Sequence, residues 1–502
     1  MKHLLLGIDI GTSACKVALF THNGEVAAQG SGDYKVYYPQ QGWAEQNPEE
    51  WWQAVCNAIR TMLAENSIDP SAIAGIGIDG QSWSAIPIDA NGKVLYNTPI
   101  WMDTRAADIC EELKATVGEE KLFALCGNPL QPSYTLPKIL WYKKHQPEVY
   151  NNTYKILQSN SFIAYRLTGA ITQDVSQGYG LHCFDMRNGC WNLDICNELG
   201  IDVAMLPEIV PCHQVIGSVT QQAALATGLA EGTPVVAGGL DAACGTLGAG
   251  VIHAGETQEQ GGQAGGMSIC MDTYHADKRL ILGCHVVPNL WLLQGGTVGG
   301  GGVVRWFEQE FCAEERNVSS INHTNSFYEM DQSASSIPAG SDGQVFLPYM
   351  AGERSPIWDS KAKGVYYGID FAKTRAHFIR ASMEGVAFSL KHNLDIAESA
   401  GVRADVLRAM GGAANSRLWT QIKADVTNKK IVVPSSDTAT TLGAAILAGV
   451  GTGIYKNFDE AVSKTVAVKR EHLPNPQNHA IYQKVYKTYL ALYEKLKDIM
   501  HQ

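Results

Sequence analysis

The chain has 502 residues, 45% of them hydrophobic and 18% charged, which is the composition of a folded protein too long for one core. Two or more domains are expected, and disorder or a fibrous repeat is excluded. Lys and Arg number 39 against 50 Asp and Glu, a formal net charge of −11, with no basic run, so neither nucleic acid nor an anionic membrane is expected as a partner. A small anionic ligand stays open, because glycine-rich turns and helix N-termini bind phosphate through backbone N–H groups.

The twelve cysteines are scattered and form no C-x-x-C pair, which argues against structural zinc, and a chain of this length is no disulfide scaffold. The first apolar run is too short for a secretory h-region, and no stretch approaches the ~18 apolar residues of a membrane span. The expectation is a cytoplasmic protein.

In chain order, residues 4–10 form an apolar strand ending in Asp9-Ile10-Gly11-Thr12-Ser13, and residues 16–20 form a second. Asn23-Gly24 signals a hairpin, with residues 26–28 returning as a third antiparallel strand. Pro48-Glu49-Glu50 opens a helix carrying Trp52, Val55, Ile59, Met62 and Leu63 at helical spacing. Residues 73–78 follow as a buried strand. Three antiparallel strands before the helix-strand alternation point to a mixed sheet, since a dinucleotide-binding sheet begins strand-helix-strand. An apolar strand at 234–239 ends in Leu240-Asp241 with glycines after it, so an acid at a strand end followed by glycines occurs twice. That suggests two lobes and a cleft, divided near residues 245–254. A long amphipathic helix is expected at 374–400, a strand at 406–410 running into Gly411-Gly412-Ala413-Ala414, a strand at 431–433 and a closing helix at 481–500.

Asp9 with Thr12, Ser13 and Lys16 supplies a carboxylate, hydroxyls, turn N–H groups and a cation, the parts that Mg²⁺ and a triphosphate require. An ordinary hairpin turn has the same letters. No Walker A loop is present. Asp241 is placed to take a proton from a substrate hydroxyl, or else caps a helix. The glycines of 295–302, Gly299 among them, and Gly411-Gly412 fit either a ligand lying on backbone or a helix packed on a sheet. Gln81, Ser82 and Trp83, with Trp101, Asp103 and Arg105, combine aromatic faces with an amide, an acid and a guanidinium, as a polyhydroxylated ligand needs. Core tryptophans beside a salt bridge would look similar.

These residues resemble the FGGY carbohydrate kinases, and within them the xylulokinase-like branch. The likeness covers nearly the whole chain: D-I-G-T-S with Lys16, Tyr38-Pro39-Gln40-Gln41-Gly42-Trp43-Ala44-Glu45-Gln46, W-x-D-x-R at Trp101 to Arg105, and Ser133-Tyr134-Thr135-Leu136-Pro137-Lys138 through Trp141. It continues with Phe346-Leu347-Pro348-Tyr349, Gly352-Glu353-Arg354-Ser355-Pro356, Gly364-Val365-Tyr366-Tyr367-Gly368 and the stretch from His377 to Glu384. The resemblance implies an α/β, two-lobed fold of the actin, hexokinase and Hsp70 (ribonuclease H-like) type with a mixed sheet in each lobe. A sugar-binding lobe would cover 1–246 and an ATP-binding lobe 247–502. It further implies Asp9 as the residue ordering Mg²⁺, Asp241 as general base, and Thr12, Ser13 and Lys16 at the transferred phosphoryl group. Gly262, Gln263, Gly299, Gly411, Gly412, Ala414 and Asn415 would lie along ATP, and Gln81, Ser82, Trp83, Trp101, Asp103 and Asp241 along the sugar.

Two departures stand out. Where xylulokinases usually show G-Q-M-H-G this chain has Gly80-Gln81-Ser82-Trp83-Ser84, and where the family's second phosphate loop usually reads G-T-S-G it has Gly262-Gln263-Ala264-Gly265. The expected activity is ATP- and Mg²⁺-dependent phosphorylation of a small sugar, first a ketopentose such as xylulose. The alternatives are ribulose, erythritol or gluconate as acceptor, and a weakly catalytic sensor of sugar or nucleotide. The expected partners are the sugar and, at most, a second copy of the chain in a homodimer.

Overall fold

The computed structural model describes residues 3–436 and 438–502. Strand Leu4–Ile10 is buried throughout. Leu4, Leu6, Ile8 and Ile10 face one core, with Trp51, Val55, Ile59 and Met62 of the helix Pro48–Glu65. Leu5 faces the core on the other side, as the two-residue period of a strand requires. The helix starts where its sequence says it should: the Asn47 side chain accepts the Glu49 N–H, Pro48 occupies the first turn, and two glutamates lie at the positive end of the dipole.

The first sheet runs Val215–Ser218, Pro234–Val236, Ile73–Gly80, Leu4–Ile10, Ala14–Phe20, Val26–Asp33, with Gly239–Leu240 paired to the end of Ile73–Gly80. The second runs Ile281–Cys284, Trp291–Thr297, Gly265–Met271, Glu256–Gly261, Val406–Met410, Lys430–Pro434, Val468–His472. Both are mixed. In each, a strand pairs antiparallel with its successor and parallel with a later strand, so the two lobes share one topology.

The repeat lies elsewhere than the two acids suggest. The counterpart of Leu4–Ile10 is Glu256–Gly261, whereas Asp241 belongs to the first sheet's own edge and opens the helix Asp241–Gly248. The expected strand at 234–239 breaks because Gly238 has φ 76°, a left-handed conformation at a site where a Cβ would lie 1.8 Å from the Ile78 carbonyl oxygen. The kink carries Gly239–Leu240 onto the end of Ile73–Gly80.

Helix Ala439–Gly451 joins the lobes by lying directly on backbone. Cβ atoms added at Gly7 and Gly77 of the first sheet would fall 2.0 Å and 1.8 Å from the carbonyl oxygens of Thr441 and Ala444. On the helix Asp241–Gly248, Gly248 stands in the same relation to Ala439 at 1.8 Å. We expect Gly77→Ala to destabilise the protein by about 1–3 kcal/mol or more, since an extra methyl meets rigid backbone; an unchanged urea midpoint would contradict this packing. Among the described residues all twelve cysteines are unpaired thiols, eleven of them buried, and no helix is long and apolar enough to cross a membrane.

Candidate active site

Three carboxylates collect at one edge of the first sheet. Strands Leu4–Ile10, Ile73–Gly80 and Gly239–Leu240 are parallel, with Asp9 in register with Asp79, and Asp79 in register with Gly239. The Gln81 N–H donates to the Ile10 carbonyl at 2.9 Å, continuing the ladder beyond the strands. Asp241 follows at once as the first helical residue, its Oδ1 accepting the Ala242 N–H at 2.6 Å. Carboxyl ends of parallel strands are where open α/β sheets place their ligands. Burial pushes the Asp241 carboxyl up to about 7, with the charge of Asp9 adding to the effect and the Ala242 N–H opposing it.

Asp79 has no counterpart among the expected site residues. It is fully buried, and neither oxygen has a protein donor among the described residues. Burial, then the charges of Asp9 and Asp241, hold it well above the ordinary carboxylate range. Asp9 is raised by burial too, with the neighbouring Asp79 carboxyl and the charge of Lys16 pulling it partly back. Both carboxyls are therefore held above the ordinary carboxylate range, Asp79 the more strongly. Its sequence signal was the one read at Asp9 and Asp241, an acid closing an apolar strand.

The turn at Gly11, Thr12 and Ser13 joins two antiparallel strands and sets Lys16 opposite Asp9. Asp9, Lys16 and Ser31 line a cavity of about 430 Å³ closed on its far side by Thr438, Thr440 and Thr441. Among the described residues no cluster of three His, Cys, Asp or Glu side chains is arranged to hold a metal ion. A single carboxylate beside a cation and hydroxyls suits Mg²⁺ that keeps its waters and is held mainly by phosphate oxygens.

A second cavity, of about 420 Å³, lies in the other lobe. Gly262, Gln263, Gly412 and Asn415 line it, as expected for the nucleotide, together with Tyr328 and Asp331. The Gly262 and Gln263 carbonyls accept the Gly301 and Gly302 N–H groups at 2.7 and 2.9 Å, while no protein acceptor among the described residues takes the Gln263 or Ala264 N–H. Two backbone N–H groups of that loop are thus left without a protein acceptor. Gly299 packs on the Pro348 carbonyl and Gly411 on Gly261; both shape the loops from outside the cavity. Ala414 is buried, its carbonyl held by the Arg470 guanidinium. Asp331, whose carboxylate accepts the Ser416 hydroxyl at 2.7 Å and which burial pushes up to about 6, carries no motif that would have revealed it.

On the first lobe, Trp83 packs at a tilt against Tyr134 and edge-on against Tyr179, with ring centroids 4.6 and 5.7 Å apart, and Tyr134 leans on His182. No protein acceptor among the described residues takes the Trp83 Nε1–H, and His182 is buried with both ring nitrogens unpaired. Trp101 donates from Nε1 to the Thr12 hydroxyl at 3.0 Å, tying its loop to the turn between the first two strands. Gln81 donates to the Gln46 amide oxygen at 2.8 Å and leaves its own Oε1 unpaired. Ser82 lies partly buried beside Trp83. Asp103 differs from the rest. Its oxygens accept the Ala44 N–H, the Arg105 N–H and the Arg105 Nε–H, and Arg105 also reaches Glu45 at 2.8 Å and lies over Trp43. The W-x-D-x-R stretch thus fits the salt-bridge alternative for Asp103, with Trp101 alone of the pair turned to the turn at Thr12.

The FGGY carbohydrate kinase N-terminal domain model matches residues 4–248 and the C-terminal domain model residues 274–452. The chain belongs to the FGGY family of carbohydrate kinases. This FGGY kinase is 32% identical to the xylulose kinase of Bacillus subtilis (strain 168), over 99% of this chain and 98% of that one. It is 29% identical to the gluconokinase of the same organism, over 100% and 96%. Its fold matches the crystal structure of xylulose kinase from Rhodospirillum rubrum with TM-score 0.90 and 28% identity, each chain covered completely. FGGY kinases use ATP and a divalent metal, and the carboxylates and glycine turns described above are suited to both.

Proposed function

We propose that this kinase transfers the γ-phosphoryl group of ATP to a hydroxyl of a small neutral sugar, with a ketopentose of the xylulose type as first candidate. The observation that carries this reading is the meeting of Asp241 and Asp9 at one sheet edge, beside an aromatic wall with unpaired polar atoms. The first lobe, to about residue 246, holds the sugar, and the second holds the nucleotide along Gly262, Gln263, Gly412 and Asn415, with Gly299, Gly411 and Ala414 shaping those loops.

Asp241 takes the proton of the attacking hydroxyl, its carboxylate oriented by the Ala242 N–H. Asp9, opposite Lys16 on the neighbouring strand, would hold Mg²⁺ through the metal's water shell. Mg²⁺ when bound neutralises charge on the phosphate oxygens. Thr12, Ser13 and Lys16 contact the moving phosphoryl group, a task of positioning and electrostatics. Trp83 offers its indole N–H and ring face to the sugar, with Ser82 and Gln81 Oε1 completing the polar contacts, and closing the lobes over them excludes water.

A sugar acid is the second reading, since a gluconokinase is among the relatives. The cations of the sugar wall speak against it. Lys138 is bound to two backbone carbonyls and Arg105 to Asp103 and Glu45, so neither is offered to a substrate carboxylate, which Asp9 and Asp241 would repel. A coupled ADP-release assay on D-xylulose, D-ribulose, erythritol and D-gluconate tests the proposal. Turnover should be fastest on a ketopentose and poorest on D-gluconate. Binding of ATP and sugar without turnover would instead identify a sensor.

A further inference from the structure

The helix Thr135–His145 grips the Trp83 loop by its backbone. Thr135, Lys138 and Tyr142, spaced three and four residues apart and so on one helix face, donate in turn to the carbonyls of Ser84 at 3.3 Å, Trp83 at 2.7 Å and Ala85 at 2.9 Å. Lys138 differs from the other two. Its Nζ also donates to the Ile100 carbonyl at 2.9 Å, one residue before Trp101. It is completely buried, and no carboxylate lies within ion-pair distance of it among the described residues. Burial pushes the Lys138 ammonium down to about 7, with the charge of Asp103 opposing, and an apolar side chain would fill the same space with less desolvation. Its presence calls for a reason in the geometry it sets.

That geometry is unusual. Trp83 has φ 60°, the left-handed region that a bulky residue rarely enters and that persists only where its surroundings impose it. Tyr134 and Tyr179 fix the ring, and Gly180 leaves space for it, since a Cβ there would come within 2.6 Å of the indole. The backbone is held by the Lys138 Nζ donating to the Trp83 carbonyl.

We infer that Lys138 is a positioning residue of the sugar site, a single Nζ whose bonds to two carbonyls clamp the Trp83 and Trp101 segments so that one indole N–H faces substrate while the other holds the Thr12 hydroxyl. This rests on the sugar-kinase reading for its effect on turnover, though not for the clamp itself.

The test uses the full-length protein and K138M. The Michaelis constant for D-xylulose, or for whichever sugar of the panel is turned over fastest, should rise about tenfold, as expected when a buried carbonyl loses its donor. The constant for ATP should stay within about twofold, because Lys138 touches nothing in the nucleotide lobe. K138R, which keeps the donors, should raise the sugar constant less. If K138M does not fold, the sugar-to-ATP ratio of K138R decides. Independently of any substrate, the ¹⁵N-indole resonances of Trp83 and Trp101, assigned by W83F and W101F, should both shift in the Lys138 variant. Equal rises in both Michaelis constants, or unmoved indole resonances, would overturn the inference. A wild-type protein that turns over no sugar would defeat the kinase reading instead, and the resonances alone would then decide the role of Lys138.

Discussion

Asp241→Asn is expected to lower turnover by about 10²- to 10⁴-fold while sugar affinity changes only a few-fold, since the amide keeps the shape of the carboxylate and loses its basicity. In the wild type, burial and the Asp9 charge raise the Asp241 carboxyl to about 7, so the base is progressively protonated as pH falls. kcat/KM for the sugar should therefore drop about tenfold per pH unit on an acid limb centred near or below 7. A flat profile between pH 5 and 8, or an Asp241→Asn enzyme retaining more than about a tenth of wild-type turnover, would remove Asp241 from its role.

Asp9→Asn should have the second-largest effect, with turnover down about a hundredfold or more and a steep rise in the Mg²⁺ concentration needed for half-maximal rate. Stability should move the other way. Asp9 is held above its ordinary value chiefly by burial, so between the ordinary carboxylate range and its raised native value the native state binds more protons than the unfolded one. Stability therefore falls as pH rises through that window. The neutral amide escapes this penalty, so the variant should melt higher than wild type at pH 8, with the difference shrinking toward pH 4. A variant that melts lower at pH 8 while keeping its Mg²⁺ dependence would refute both halves. A gain in stability at the expense of activity is characteristic of a residue retained for chemistry.

Much of this architecture can be read locally. The opening hairpin follows from Asn23-Gly24 and an apolar alternation, the helix Pro48–Glu65 from its cap and periodicity, and the long helix Arg375–Ser399 from one apolar face. What could not be read is set by pairing between distant segments. Nothing near Asp241 says that its strand joins the first sheet; that depends on the Gly238 kink against Ile78. The role of Asp79 is not local either, since it comes from two neighbours 70 and 162 positions away. The reverse error threatens at Asp103, whose letters suit a sugar contact but whose oxygens are already bound by Ala44 and Arg105. In the nucleotide lobe the lining residues Tyr328 and Asp331 lie on a helix with no motif, and only folding brings it over the glycine turn.

Because Asp9, Asp79 and Asp241 close strands of the same sheet and the tryptophan wall is bolted to that sheet's loops, the proposed sugar site and its proposed base sit on one frame and would move together. Any swing of the lobes changes only how far the phosphate donor must travel. Reactivity toward a given alcohol is then fixed before the nucleotide arrives, and opening of the jaws can meter the rate without blurring the choice of sugar.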